Sequence, residues 1–488
     1  MRVRPAAPER REVGRPGRPL VDLARYAVPP TGRRLDADPG PVGRGVTIAF
    51  LDSGFYPHAD LAGRVAAFHD ASGQSALLDP ERCRNPWNWH GMQTSVVAAG
   101  DGTLSQGRYR GLASGARVVL VQVSRQGRIC DDLIVRGLEW VRAHRQRLGI
   151  QILNISVGSD RDGSFLDSEI ARAAEAAVGD GILVVAAAGN DGGLPRAPAN
   201  APSVLTVGGC VSREACSPEE VELYRNSFGV LLDLVVKPEV IAPAAWVAAP
   251  LLPGSVQERR VEYLCRLASA EGEELRDLLA HPAPEANLPE NLAELPSKTL
   301  RSLLEAGLQR DKVVSAHYQH VDGTSFAAPI VASVAAQMLE VEPSLSPAVL
   351  RQILMSTADR VRKGDLLSQG CGMVNARRAV EEAGQAWTPS QICELRPPLV
   401  EDGRLSFVFA HPGARRVELV GDFNGWQTGR NFFEEVLDGL WRIELEAPAP
   451  GRYHYKFLVD GSHWLEDPSN LFRKPNEFGG FDSILNLT

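Results

Sequence analysis

The sequence predicts an α/β protein built on a doubly wound parallel sheet, with a helical insertion and a separate all-β immunoglobulin-like sandwich at its C-terminal end. Three observations lead there. Between Gly45 and Gly384, short β-branched apolar runs alternate with helical segments. Residues 251–320 interrupt that rhythm, and residues 401–488 change to a period of two. A chain of 488 residues is also too long for one ordinary core.

Taken in order, residues 1–44 are rich in Arg, Pro and Gly, lack periodicity, and read as a disordered or extended leader. Residues 45–386 hold the α/β pattern. The runs Val46–Leu51, Ala116–Val123, Ile150–Val157, Ile182–Ala188 and Val204–Gly208 are short and uniformly apolar, as strands buried on both faces must be. Asp131–Arg147 and Ser168–Val178 between them carry apolar residues at helical spacing. Residues 251–320 are charged and helix-prone, with a proline-rich piece at His281–Pro289; the amphipathic Arg259–Ala268 and Lys298–Leu308 mark a structured insertion. A linker at 387–400 precedes alternating runs at Leu405–Ala410, Arg416–Gly421, Trp441–Leu445, Tyr453–Val459 and Ser483–Leu487. Turn residues punctuate these runs at Gly413, Asn424-Gly425, Gly439 and Asp460-Gly461, which gives a small antiparallel sandwich.

Bulk properties narrow the function classes. A net charge of -8 and a pI near 5.8 argue against nucleic acid as a partner, because phosphate binding needs a basic face. The sequence offers no run of ~20 uninterrupted apolar residues for a membrane helix, and Arg and Pro crowd the place where the apolar core of a signal peptide would lie. The seven cysteines are scattered and form no C-x-x-C pair, so neither a disulfide framework nor a zinc ribbon is expected. A reducing cytoplasm fits these features.

Three segments place reactive residues where chemistry can use them. Thr47–Asp52 is an apolar strand ending in an aspartate, followed by Ser53-Gly54. His90 opens a helix of small residues that runs to Gly100. Ser325 stands at a helix start within Asp322-Gly-Thr-Ser-Phe-Ala-Ala-Pro329. A serine hydroxyl is a poor nucleophile until a base takes its proton; histidine supplies the base and aspartate fixes its tautomer. A helix N-terminus favours negative charge beside the serine.

These blocks, in the order Asp, His, Ser, resemble the signature blocks of the subtilase family of serine peptidases. Further matches are Leu153–Gly158, Val184–Asn190, Pro198–Gly208, Lys237–Pro243 and Gly370–Ala376. The resemblance spans Gly45 to Gly384 and implies a subtilisin-like fold and a catalytic triad of Asp52, His90 and Ser325. It also implies that Asn190 completes an oxyanion hole, and that Ser156, Val157, Gly158, Ala188 and Gly189 bind substrate. The sequence departs from the family in three places. Gly91-Met92-Gln93 stands where Gly-Thr-His is usual. The loop Asn190–Pro198 is short; an Arg196 near the floor of the specificity pocket would favour acidic side chains. No calcium-binding loop is recognisable in Asp101–Gly111, so no cofactor is expected, a structural calcium being the alternative left open. Residues 1–44 are too short and polar for the folded pro-domain of secreted relatives.

The C-terminal segments Val417–Trp426, Gly439–Leu445, Gly451–Gly461 and Trp464–Pro468 resemble the glycogen-binding module of the AMP-activated kinase beta subunit and the related early-set domains of glucan-branching enzymes. That resemblance implies a sugar site at Trp426, Lys456 and Trp464, with Asp482 where glucan-binding members carry asparagine. Aromatic faces stack on the apolar faces of glucose rings, and an ammonium donates to hydroxyls. The expected function is a cytoplasmic serine endopeptidase acting on protein or peptide substrates, targeted to α-glucan or glycogen-associated proteins. The alternative is a catalytically silent scaffold that binds glucan or docks proteins.

Overall fold

The computed structural model describes residues 19–487 except 75–77, 213–218, 232–234, 290, 362–363, 386–397, 412, 438 and 471. Leader residues 1–18 and most of the 387–400 linker therefore lie outside the described residues. The chain forms two compact units: residues 250–320 with the described stretch up to Ala27, and residues 28–249 with 321–487.

The larger unit is organised around a parallel sheet. Its strand order is Val240–Pro243, Leu205–Val211, Leu183–Ala187, Ile150–Ile155, Thr47–Asp52, Arg117–Gln122, Val65–Asp70, with the short Glu222–Leu223 antiparallel on Leu205–Val211. Ala49, Leu51, Val119, Val121, Leu153 and Val184 pack on one face against the helices Asp131–Leu148 and Glu169–Gly179. On the other face lie Trp89–Ala99 and Thr324–Val341. With both faces covered, the strands read as continuous apolar runs. Thr324–Val341 is long and apolar enough to cross a membrane by length and composition, yet 83% of it is buried inside the protein, where it is the central helix of its layer.

Two parallel strands of this sheet escaped the sequence reading. Val65–Asp70 is an edge strand whose half-buried Ala-Ala-Phe-His gives no apolar run. Val240–Pro243 is only four residues long and lies between prolines.

In the same unit, residues 399–487 form two antiparallel sheets. One has the order Leu399–Glu401, Arg404–Ala410, Leu440–Glu446, Glu434–Leu437. The other has Val417–Gly421, Gly451–Val459, Phe481–Leu487, Arg473–Pro475, with His463–Leu465 on Gly451–Val459. Phe407, Phe409, Leu419, Tyr455 and Phe457 fill the space between them.

The smaller unit packs the helices Val256–Ser269, Gly272–Ala280 and Ser297–Arg310 on Leu264, Leu267, Leu300, Leu304 and Leu308. Ser255 caps the first helix, and Arg260 grips Asp311 through both carboxylate oxygens. Val21 belongs to this core and its N–H donates to Ala268 O at 3.2 Å. In the larger unit Arg34 is 1% exposed and donates to the carbonyls of Ser212, Ala245 and Trp246. The segment from Leu20 to Arg34 thus differs from an extended leader. Its Arg and Pro content suggested solvation, but a planar guanidinium can be buried when backbone carbonyls accept from its terminal nitrogens.

Candidate active site

Thr47–Asp52 is the strand at which the sheet changes direction: the chain runs from it to the edge strand Val65–Asp70 and back through Arg117–Gln122 on one side, then crosses to Ile150–Ile155 on the other. Such a switch point opens a crevice at the carboxyl ends of the strands, and Asp52 stands there, fully buried. Its Oδ1 accepts from Ser53 N at 2.6 Å and lies 2.7 Å from His90 Nδ1; its Oδ2 accepts from Thr94 Oγ1 at 3.0 Å. With a carboxylate on Nδ1, the ring proton belongs on Nδ1 and Nε2 is left as the accepting nitrogen. His90 is in the first turn of the helix Trp89–Ala99. The next residue must be glycine: a methyl group on Gly91 would lie 2.3 Å from Gly54 O and 2.9 Å from Asp52 Cβ. Burial disfavours the His90 imidazolium, but the adjacent Asp52 carboxylate outweighs it and holds the pKa above the ordinary value of 6.5.

Ser325 lies in the first turn of Thr324–Val341, after Gly323, whose φ of +141° only glycine adopts readily. Its Oγ is 3.4 Å from Ser156 O, and Ser156 Oγ donates to Ser325 O at 2.9 Å. The ring of Phe326, next in sequence, is 5.8 Å from the His90 imidazole, so serine and histidine helices meet here. Asn190 Oδ1 accepts from Thr324 N at 2.9 Å and from Thr324 Oγ1 at 3.2 Å. That fixes the amide and leaves its NH2 as the end available to an anion beside Ser325. Gly189, at φ +104°, donates to Thr324 Oγ1.

A cleft of about 390 Å³ adjoins the serine, lined by Ser156, Val157, Gly158, Ala188, Gly189 and Asn190 among others. All the positions assigned to substrate binding and the oxyanion hole therefore meet in one cavity. Asp191, Leu194 and Arg196 complete its wall. The Arg196 guanidinium reaches Asp162 at 2.6 Å and Asp191 at 3.1 Å. Asp191 also accepts from Ser227 Oγ and Gly193 N, contacts that, with Arg196, hold its carboxyl below the usual range. Two carboxylates already neutralise Arg196, so the cleft does not present the unopposed cation that acidic side chains would require. In the loop Asp101–Gly111, the Asp101 carboxylate accepts from Thr103 N and Oγ1 and lies 3.9 Å from Arg64.

In the sandwich, Trp426, Lys456 and Trp464 line one open cavity of about 1150 Å³. Trp426 Nε1 donates to Asp422 Oδ1 at 2.8 Å, and the other Asp422 oxygen accepts from His454 N. Desolvation lowers the Lys456 pKa, opposed by Glu466 and Asp482. Asp482 accepts from Asn476 Nδ2 at 2.6 Å and so holds the loop 476–480. Phe478, 94% exposed on that loop, offers a further aromatic face.

Sequence reasoning missed Thr94, Asp191, Phe478 and Arg360, which also lines this cavity. Thr94 had a signal, lying four residues after His90 and so on the same helix face. Arg360 had none.

A family model described as the subtilase family matches residues 43–373, and one described as carbohydrate-binding module 48 (isoamylase N-terminal domain) matches residues 398–472. The serine protease AprX of Bacillus subtilis (strain 168) is 28% identical over 348 residues, 69% of this chain and 66% of that protein. The chain thus spans about two thirds of the length of that relative. Subtilisin BL of Lederbergia lenta is 25% identical over 343 residues, 70% of this chain and 92% of that enzyme. A solved structure of a cold adapted subtilisin-like serine proteinase aligns with a TM-score of 0.44 at 20% identity, covering 73% of this chain and 96% of the other.

Proposed function

The chain belongs to the subtilase family, and from that premise we propose that it is a serine endopeptidase whose triad is Asp52, His90 and Ser325. The observation that carries the reading is the 2.7 Å contact between His90 Nδ1 and the buried Asp52, on a helix that meets the Ser325 helix. Peptide enters the cleft beside Ser156–Gly158. His90 Nε2 takes the Ser325 proton as Oγ attacks the scissile carbonyl. The oxyanion that forms is met by the Asn190 NH2 and the Ser325 backbone N–H. Collapse of the tetrahedral intermediate transfers the proton from His90 to the leaving amine and leaves an acyl-enzyme; water then attacks it as His90 takes the water's proton and returns it to Ser325 Oγ, releasing the acid.

The test is covalent labelling of the purified chain by a fluorophosphonate probe. Wild type is labelled and Ser325→Ala is not; folded wild type that resists the probe, with no hydrolysis of casein, would leave only the scaffold reading.

In the same proposal, the sandwich binds α-glucan and brings the peptidase to glycogen-associated proteins. Support comes from the carbohydrate-binding module match and from the gathering of Trp426, Lys456 and Trp464 around one cavity. Retention of wild type on amylose resin, with loss in Trp426→Ala, is the expected result; no binding at millimolar maltoheptaose overturns it. We place the protein in the cytoplasm. The five described cysteines, Cys83, Cys130, Cys210, Cys265 and Cys371, are all free thiols. Recovery of the peptidase from the medium rather than with a cytosolic marker would overturn that placement.

A further inference from the structure

The cavity at Trp426, Lys456 and Trp464 does not end at the sandwich. Arg360, from the peptidase part of the chain just beyond the helix Pro347–Ser356, forms part of its wall. Its Nη1 donates to Gly479 O at 2.5 Å, in the loop that presents Phe478. Its guanidinium carbon sits 5.8 Å from the Phe481 ring centroid, and its other terminal nitrogen is 3.9 Å from Glu466. Arg360 thus spends one donor on the loop and remains beside the sugar groove.

Arg360, Lys456 and Trp464 also line a second cavity of about 330 Å³, in the seam between the peptidase helix Pro347–Ser356 and the sandwich. That volume falls in the range of ligand pockets, roughly 300–1,000 Å³. Three shared side chains mean that the two cavities adjoin at Trp464. The seam walls mix apolar Ile353 and Leu465 with the polar Ser356, Glu382, His411 and Glu466. Alternating apolar and hydrogen-bonding surface is what a glucose chain needs, since each ring has C–H faces and a hydroxyl rim. The seam is closed elsewhere by direct contacts: Gln352 Nε2 donates to Ala410 O at 2.9 Å, and Arg473 reaches Cys371 Sγ and Glu466 at 3.1 Å.

We propose that the glucan site is shared by the two domains: an α-glucan stacked on Trp426 and Trp464 continues past Trp464 into the seam, where its next glucose units meet Arg360 and the Ser356 end of the peptidase helix. Short oligosaccharides are held by the sandwich alone; longer ones are held by both. The proposal rests on the α-glucan reading above and adds to it a chain-length threshold set by the peptidase domain.

The experiment is calorimetry on the full chain with maltotriose and maltoheptaose, using wild type, Arg360→Ala, Ser356→Tyr and Trp426→Ala. Wild type is expected to bind maltoheptaose more tightly than maltotriose. Arg360→Ala weakens maltoheptaose about tenfold, the order expected for one charged hydrogen bond, and maltotriose less than about twofold. Ser356→Tyr fills the seam without touching Gly479, so it reproduces the selective loss and separates seam occupancy from loop support. Equal weakening of both sugars by Arg360→Ala, with no effect of Ser356→Tyr, overturns the shared site but leaves the sandwich as a glucan binder if Trp426→Ala abolishes binding. Absence of binding of either sugar to wild type overturns the proposal together with the glucan reading.

Discussion

At His90 two influences compete, burial against the cation and Asp52 in favour of it, and the 2.7 Å contact decides the outcome. The sign of the pH dependence follows. Only neutral imidazole can take the Ser325 proton, and its pKa is raised, so kcat/KM should climb with pH through an acid limb lying above 6.5. Asp52→Asn removes the charge that raises it and presents the wrong hydrogen-bonding face to Nδ1. Stopped assays across pH 5–10 should show the acid limb moving down and kcat falling roughly 10⁴-fold. A fall of less than tenfold would mean that Asp52 does not set the tautomer. Thr94 shows why motif reading is incomplete at this scale: its side chain is an ordinary helix position until the fold aims it at Asp52 Oδ2.

Among the elements, the junction of strand, turn and helix around Glu239 holds a cluster of buried charge. Glu239 is fully buried, accepting from Lys237 Nζ at 2.8 Å, Arg351 Nη2 at 2.9 Å and Thr206 N at 2.8 Å. Arg351 also donates weakly to Pro468 O of the sandwich, so one carboxylate organises the sheet edge, the helix Pro347–Ser356 and the seam together. Its attraction to two cations keeps it below the ordinary carboxyl range against the cost of burial. Glu239→Gln strands those cations in a dry site, and denaturant unfolding should show a loss of about 3–5 kcal/mol. A loss below about 1 kcal/mol would mean that water reaches the pair. The sequence displayed Lys237-Pro-Glu as part of a family block; the partner Arg351, more than a hundred positions away, was not legible from it.

For the whole molecule, buried thiols contribute to a loss of stability at alkaline pH, alongside phenols such as Tyr263 and Tyr455 that burial also raises. Burial pushes Cys210, Cys265 and Cys371 from 9.0 up to about 12. The folded chain keeps these protons where the unfolded chain sheds them, so their contribution is intact below pH 9 and is lost as pH rises toward 12. Lys237 acts the other way: burial lowers it from 10.5 to about 8, which adds stability across pH 8–10.5. Three groups outweigh one, and each is worth about 1.4 kcal/mol per pH unit inside its window. The thermal midpoint should therefore decline above pH 9, and replacing Cys210 and Cys265 by Ala should flatten that decline. An unchanged slope in the double variant would assign the alkaline limit to other groups.

The sequence by itself determined the alternation of strand and helix, the two-period sandwich, and the blocks that carry Asp52, His90, Asn190 and Ser325. The alternation and the sandwich follow from local rules, since apolar spacing fixes which face is buried; the blocks were legible through their resemblance to the subtilase family, which is what assigned Asn190 its place. Only the tertiary structure decided what neutralises Arg196, what holds Asp52 Oδ2, where Val21 and Arg34 are buried, and that Arg360 reaches the cavity lined by Trp426 and Trp464. Each of those depends on atoms far apart in the chain that share no periodic signal, and a side chain's charge balance is fixed by the neighbours folding brings to it.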